Sequence, residues 1–229
     1  MLKFKNTDLR FVIIQITFIL LVSTMQSCLK EVVVNVPKLS VVYENDFETY
    51  DQKGFKVYSF ENGNFGLFDR VNILDFNSSK VLGRFNNGKA ELKIDSLPLH
   101  NAINIQFDLY IHDIWKNDLW KMEFDNREVL VTGFSNIENV MQSYPNWIGN
   151  GSASNAPGAN AFDLNLKGAC RNISKANGTS HYKMERTIVH TGSTFAFAAS
   201  DAGAFFQLNC DRSWSIDNLK ITAIYNPKK

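Results

Sequence analysis

The chain has 229 residues, 24 basic and 23 acidic side chains and a formal net charge of +1, so it presents no basic field of the kind that nucleic acid requires. Hydrophobic residues make up 45% of it and only three cysteines are present, which leaves room for a proper buried core and excludes a dense disulfide scaffold.

The first predicted element, residues 1–27, is an export signal. Lys3, Lys5 and Arg10 stand against the single Asp8 and are followed by an apolar run over 11–25, the charged-then-apolar order of a secretory signal. The run is too short to span a bilayer, which needs about 20 apolar residues. Met25-Gln26-Ser27-Cys28 then resembles a loose bacterial lipobox, with a small residue before the cysteine that becomes the acylated N-terminus. Cys28 is therefore the expected lipid-attachment residue, and the exported protein is expected to be anchored to the bacterial membrane or cell surface. Removing the signal's three basic residues and one acidic residue leaves a net charge of −1.

Residues 28–40 read as a lipidated tether, and 41–229 as one domain of ordinary size. From Val41 the period is two. Ala90-Glu91-Leu92-Lys93-Ile94 and the run 103–111 alternate apolar with polar, which on a strand sends one face to the core and one to water. Similar runs occupy 120–124, 187–190, 194–198, 205–208 and 219–225. Turn signals separate them: Glu61-Asn62-Gly63-Asn64, Asn86-Asn87-Gly88, Asp125-Asn126 and Thr191-Gly192-Ser193. No stretch after the signal carries a helical stripe. Many short strands without alternating helices predict an all-β fold, an antiparallel β-sandwich of the jelly-roll kind. Residues 142–160, rich in Asn, Gly, Ser and Ala, read as one long surface loop. Cys170 and Cys210, in an oxidising compartment, form either a disulfide or a pair of buried thiols.

Several short elements in one order carry a resemblance. They are Leu97-Pro98-x-His100, Phe107-Asp108-Leu109-Tyr110-Ile111-x-Asp113-x-Trp115 and Trp214-Ser215-Ile216-Asp217-Asn218. Together they resemble a family of secreted bacterial jelly-roll surface modules, similar in outline to concanavalin-like and MAM-type sandwiches, with no established activity. The chain departs from that pattern at 113–117 and at Ser215, where Gly is usual. The resemblance implies the sandwich fold and an extracellular setting. It also implies a structural calcium where the first and last strands meet, with Glu48 and Asp217 as carboxylate ligands and the main chain near Asp46 as a third.

Glu123-x-Asp125-x-x-Glu128 spells a pattern that jelly-roll glucanases use. Asp125-Asn126 reads better as a hairpin turn, which leaves Glu123 and Glu128 as facing surface charges. His100, His112, His181 and His190 have no identifiable nucleophile partner, and His100 reads as a satisfied edge residue. For binding, Tyr144 and Trp147 in the long loop, with Trp115 at the same edge, are the expected aromatic plate for a sugar ring. Trp120 and Trp214 read as core. The sequence thus predicts a surface lipoprotein whose sandwich binds rather than catalyses, its partner an extracellular glycan or a surface protein. A jelly-roll glycoside hydrolase and a purely structural or adhesive protein are the alternatives.

Overall fold

Alternation is the local cause of the fold. In the run Ala102–Asp113, Ile103, Ile105, Phe107, Leu109 and Ile111 are buried, while Asn104, Gln106 and Asp108 between them are at least partly open to solvent. The computed structural model describes residues 36–61, 64–68, 72–148, 153–202 and 210–227. The export signal and Cys28 lie outside these residues, as does the predicted run 205–208.

Thirteen strands are described: β1 (Lys38–Asn45), β2 (Lys56–Glu61), β3 (Asn64–Phe68), β4 (Ile73–Phe76), β5 (Ser79–Phe85), β6 (Lys89–Ile94), β7 (Ala102–Asp113), β8 (Lys116–Phe124), β9 (Arg127–Ser135), β10 (Asp163–Leu166), β11 (Thr179–Val189), β12 (Phe195–Ala202) and β13 (Arg212–Tyr225). They form two antiparallel sheets. The front sheet has 7 strands in the order β10-β11-β7-β13-β5-β4, with β1 also paired to β13, and the back sheet has 6 in the order β3-β2-β6-β12-β8-β9. β7, β11 and β13 pair in the front sheet while β6, β8 and β12 pair in the back, so the chain crosses repeatedly between layers. The protein is thus an antiparallel β-sandwich, all of it within one compact unit spanning 37–228. β1 begins at Lys38, three residues before the expected domain start at Val41, because Lys38, Leu39 and Ser40 already pair with Tyr225, Ile224 and Ala223.

The inner faces interdigitate over one core. Trp120 and Trp214 are fully buried there, edge to face at 6.1 Å, with Phe107, Phe197 and Phe134 around Trp120. The Asp125-Asn126 turn joins β8 to β9 with both residues at positive φ, 49° and 62°, as a tight primed hairpin requires. The loop over 142–160 departs from expectation at its base. Gln142 is fully buried; its Oε1 accepts the N–H groups of Ser135 (3.1 Å) and Gly158 (3.0 Å), and its Nε2 donates to the carbonyls of Tyr144 and Ala159. One amide side chain thus supplies the pairing that the irregular backbone lacks.

A buried ionic group ties the sheets together. Arg212 on β13 is fully buried and pairs with Asp201 on β12 (2.8 Å) and Asp118 on β8 (2.9 Å). Asp201 also accepts the Trp214 indole N–H (2.7 Å) and the backbone N–H groups of Asn87 and Gly88 in the β5–β6 turn. Removing one partner would leave a buried charge without its counter-ion. Asp201→Ala should therefore lower stability by about 3–5 kcal/mol in a urea unfolding titration; a loss within about 0.5 kcal/mol, typical of a surface change, would show that the group is not structural.

Candidate functional site

The outward face of the front sheet is where the described polar side chains converge. Its register runs as rows across β1, β13, β7 and β11. Leu39, Ile224, Ala102 and Val189 form the first, and Val41, Thr222, Asn104 and Thr187 the second. Glu44, Lys220, Gln106 and Glu185 form the third; Asp217, Asp108 and Lys183 the fourth; Ser215, Tyr110 and His181 the fifth. The face therefore passes from aliphatic, through amide and charge, to a buried ring layer.

The middle rows are hollowed. A depression of about 490 Å³ is lined by Glu44, Asn45, Asp46, Lys53, Gln106, Asn218 and Lys220, and an adjoining one of about 320 Å³ by Gln106, Asp108, Lys183, Glu185 and Asn218 among others. Gln106 and Asn218 border both. Asn218 reaches this position because β13 bulges between Asp217 and Lys220, with Asn218 at φ 51°; the extra residue re-aims its amide outward. That amide donates to Asp108 Oδ2 (2.8 Å), and His181 Nε2 lies 2.8 Å from Asp108 Oδ1. Burial alone would raise Asp108, but these two hydrogen bonds hold its carboxyl below the usual range. Gln106 and Asn104 both donate to Glu185, which is lowered by them. The depression is walled by fixed donors and acceptors on a rigid sheet, which suits a polyhydroxyl ligand.

Rings back and flank this groove. Tyr110 is buried and stacks on His181 at 4.6 Å, with Phe76 edge-on at 5.3 Å. Phe162, 64% exposed, meets His181 edge-on at 5.2 Å beneath the Lys183 ammonium. Tyr50, 50% exposed, lies under Lys80. His112 is fully buried between Thr179 and Ser215; burial, helped by Arg84, drops its pKa to about 3, so it stays neutral.

The aromatic residues expected to bind are placed elsewhere. Trp115 is fully buried: its indole N–H donates to the Ser213 carbonyl (3.0 Å) and the Arg212 guanidinium lies over its ring at 4.8 Å. It is core, and the expectation that it joins a binding edge is corrected. Tyr144 is half-buried against Phe134 (4.8 Å) and Tyr182 (5.1 Å), so it anchors its loop and offers no flat open face. Trp147 is half-buried in the same loop. Both residues lie at the start of an Asn-rich stretch whose base, at Gln142, is buried.

Of the expected calcium ligands, Glu48 and Asp217 meet and Asp46 does not join them. Ser79 Oγ lies 2.7 Å from Glu48 Oε1 and 3.0 Å from Asp217 Oδ2, whereas Asp46 Oδ1 accepts the Glu48 N–H within its own turn. Among the described residues no group of three or more His, Cys, Asp or Glu side chains is arranged to hold a metal ion. The expected set counted two carboxylates and a main-chain oxygen, and the two carboxylates converge on Ser79. One hydroxyl has one hydrogen to give, so Ser79 donates to only one of the two carboxylates at a time. Burial first, and then Asp108 and Glu48 nearby, raise the Asp217 pKa to about 6.

The remaining sequence candidates are structural. Glu123 faces Glu128 across the β8–β9 hairpin and lies near Lys121 (3.2 Å) and Lys89 (3.9 Å), which is a surface charge cluster and no paired acid and nucleophile. His100, 4% exposed, lies between the Pro98 carbonyl (2.6 Å) and His190 Nδ1 (2.7 Å), as a satisfied edge residue should. Cys170 and Cys210 are joined as a disulfide, with Cα atoms 5.0 Å apart. The Asp113 carboxylate, fully buried, accepts the N–H groups of Cys170 and Asn172 and so clamps the bridged loop to β7. What sequence reading missed is the groove itself. Asn104-x-Gln106-x-Asp108 was its signal, three hydrogen-bonding side chains on one strand face.

These features define an antiparallel β-sandwich domain with a polar groove across its front sheet. No protein-family model and no curated protein matches the chain. Solved structures resemble it distantly. The K3 cleaved adhesin domain of Lys-gingipain from Porphyromonas gingivalis shares 11% identity at a TM-score of 0.44, over 80% of this chain and 100% of that one. The CBM2 module of Lactobacillus casei BL23 phage J-1 evolved Dit shares 13% at 0.41, over 84% and 99%. Dimeric latent PorU from P. gingivalis shares 5% at 0.35, and the chain spans only 10% of its length while 60% of this chain is covered. Likenesses this distant assign neither an activity nor a ligand.

The raised pKa of Asp217 has a measurable consequence. A carboxyl whose pKa is raised on folding contributes stability that is complete below its unfolded value, near 4, and is lost as pH rises through about 6. Asp217→Asn should remove that slope. The wild type should lose on the order of 1–2 kcal/mol relative to the variant between about pH 4 and pH 7, allowing for water that reaches the pair. Parallel pH dependences in chemical unfolding would refute the raised pKa.

Proposed function

We propose that the protein is an exported surface lipoprotein, held by lipid on Cys28, whose sandwich is a non-catalytic module that binds extracellular glycan along the front-sheet groove. The observation that carries the reading is the pair of adjoining depressions that share Gln106 and Asn218. Sugar hydroxyls need many weak, oriented hydrogen bonds, and amides with half-satisfied carboxylates on a stiff sheet supply them without a cost of ordering a loop. Charge along the groove is mixed: Lys220 pairs with Glu44 at 3.2 Å, and Lys183 faces Asp108 across the strands. That balance favours a neutral glycan over a strongly anionic one. Catalysis draws no support from Glu123 and Glu128, which sit on the back sheet, away from the groove.

A glycan-array screen of the chain from Leu29 onward identifies the ligand class. On a hit, Gln106→Ala and Asn218→Gly should each weaken binding by about 1 kcal/mol or more, where 1.4 kcal/mol is tenfold; glycine keeps the positive φ that position 218 requires. Trp147→Ala and Glu123→Gln should bind normally. A glycan hydrolysis that Glu123→Gln abolishes would replace this reading with the hydrolase.

The anchor is tested separately: labelled fatty acid should be incorporated into the wild type and not into Cys28→Ser, and a wild type that takes up no label would exclude lipid at that cysteine.

A further inference from the structure

The first row of the front sheet breaks the alternation that the rest of it obeys. Leu39, Ile224, Ala102 and Val189 are cross-strand neighbours on four adjacent strands, and all four point away from the core. Leu39 is 64% exposed and Val189 89%. Val41, 52% exposed, stands in the next row, and Leu99 adds a 77% exposed aliphatic just before β7. Scattered exposed aliphatics need no explanation; a ladder of them in register, at one end of the domain, does. The two rows contain no carboxylate, and the exposed Lys38 precedes Leu39. A glycan finds little to bond here, because no ring and few hydrogen-bonding groups are offered.

The chain itself indicates the occupant. β1 starts at this end, and Lys38 lies only ten positions after Cys28. Ten extended residues reach roughly 35 Å at most. A lipid on Cys28 would hold this end, and not the opposite one, within that distance of the bilayer, where even a weak surface affinity acts at high effective concentration.

We propose that the aliphatic end of the front sheet, Leu39, Val41, Leu99 and Val189 with Lys38, is a membrane-resting surface that seats the domain on an anionic bilayer. It rests on the anchored reading for its tether and on the described residues for its chemistry. An apolar face enters the headgroup boundary by about 5–10 Å, and a lysine beside it is drawn to anionic headgroups. Same-face residues are roughly 7 Å apart along a strand, so Gln106, two rows up β7, stands about 14 Å from the first row and clears that layer. The groove is thereby held open just above the bilayer.

The test uses the chain from Leu29 onward without lipid, since the unit spanning 37–228 contains the whole core. It is sedimented with vesicles of phosphatidylethanolamine and phosphatidylglycerol, and with vesicles of phosphatidylcholine. The wild type should partition onto the anionic vesicles. Leu39→Glu with Val189→Glu should reduce the bound fraction by roughly tenfold, and Lys38→Gln should give a smaller loss that added salt mimics. Both changes are at exposed positions, and an unchanged melting temperature certifies the fold. Equal sedimentation of wild type and double variant overturns the proposal, as does failure of the wild type to bind either vesicle. Self-association abolished by the same double variant, without lipid, would assign the ladder to contact between copies and also overturn it. Incorporation of labelled fatty acid at Cys28 bears on the lipid anchor alone, and vesicle binding of the lipid-free chain on this surface alone, so the two failures are distinguishable.

Discussion

Arg212 brings a fully buried guanidinium between the two sheets, and the sandwich is organised around keeping that cation neutralised. Its two carboxylates come from β12 and β8 of the opposite sheet, and the same Asp201 receives the Trp214 indole and two N–H groups of the β5–β6 turn. An ion pair of this kind is not a large net source of stability, because desolvation offsets much of the attraction. Its effect is on specificity: a slip of either sheet by one residue would separate the charges and turn every side chain to the wrong face. Trp115, stacked on the same guanidinium, is held in place by it.

With the sheets fixed in that register, the front face acquires its gradient. Rows that are aliphatic, polar and aromatic follow one another because β1, β13, β7 and β11 are aligned residue for residue, interrupted only between Val41 and Tyr43 of β1 and at the β13 bulge. The bulge is where Asn218 turns outward, and beside it Asp217 is left among Asp108, Glu48 and Ser79. A crowded set of carboxylates and an outward amide are thus consequences of one inserted position. Ser215 fits the neighbouring row because Gly83 faces it: a Cβ at residue 83, where φ is 149°, would collide with the Ser215 hydroxyl.

Much of the architecture was legible in the sequence. Ile103 to Ile111 alternated as a half-buried strand must, Asp125-Asn126 marked a hairpin, Trp120 and Trp214 stood in strand patterns and proved to be core, and Glu123 and Glu128 were recognisable as facing charges. The binding residues were less so. Tyr144 and Trp147 looked exposed because their neighbours are Asn, Gly and Pro, yet burial of Gln142 folds that loop down, and nothing in a lone glutamine announces five hydrogen-bonding contacts. Trp115 looked like a loop aromatic because it sits between two strands; the Arg212 that covers it is far away in the chain.

By itself, then, the sequence determined what depends on neighbours along the chain: the period of two, the turn residues and hence an all-β sandwich. Only the tertiary structure decided which side chains share a surface. Gln106 and Asn218, or Leu39 and Val189, become neighbours through strand order and register. Alternation tells each residue whether it faces in or out, but the partner it meets across the sheet is set by long-range pairing, which local periodicity does not encode.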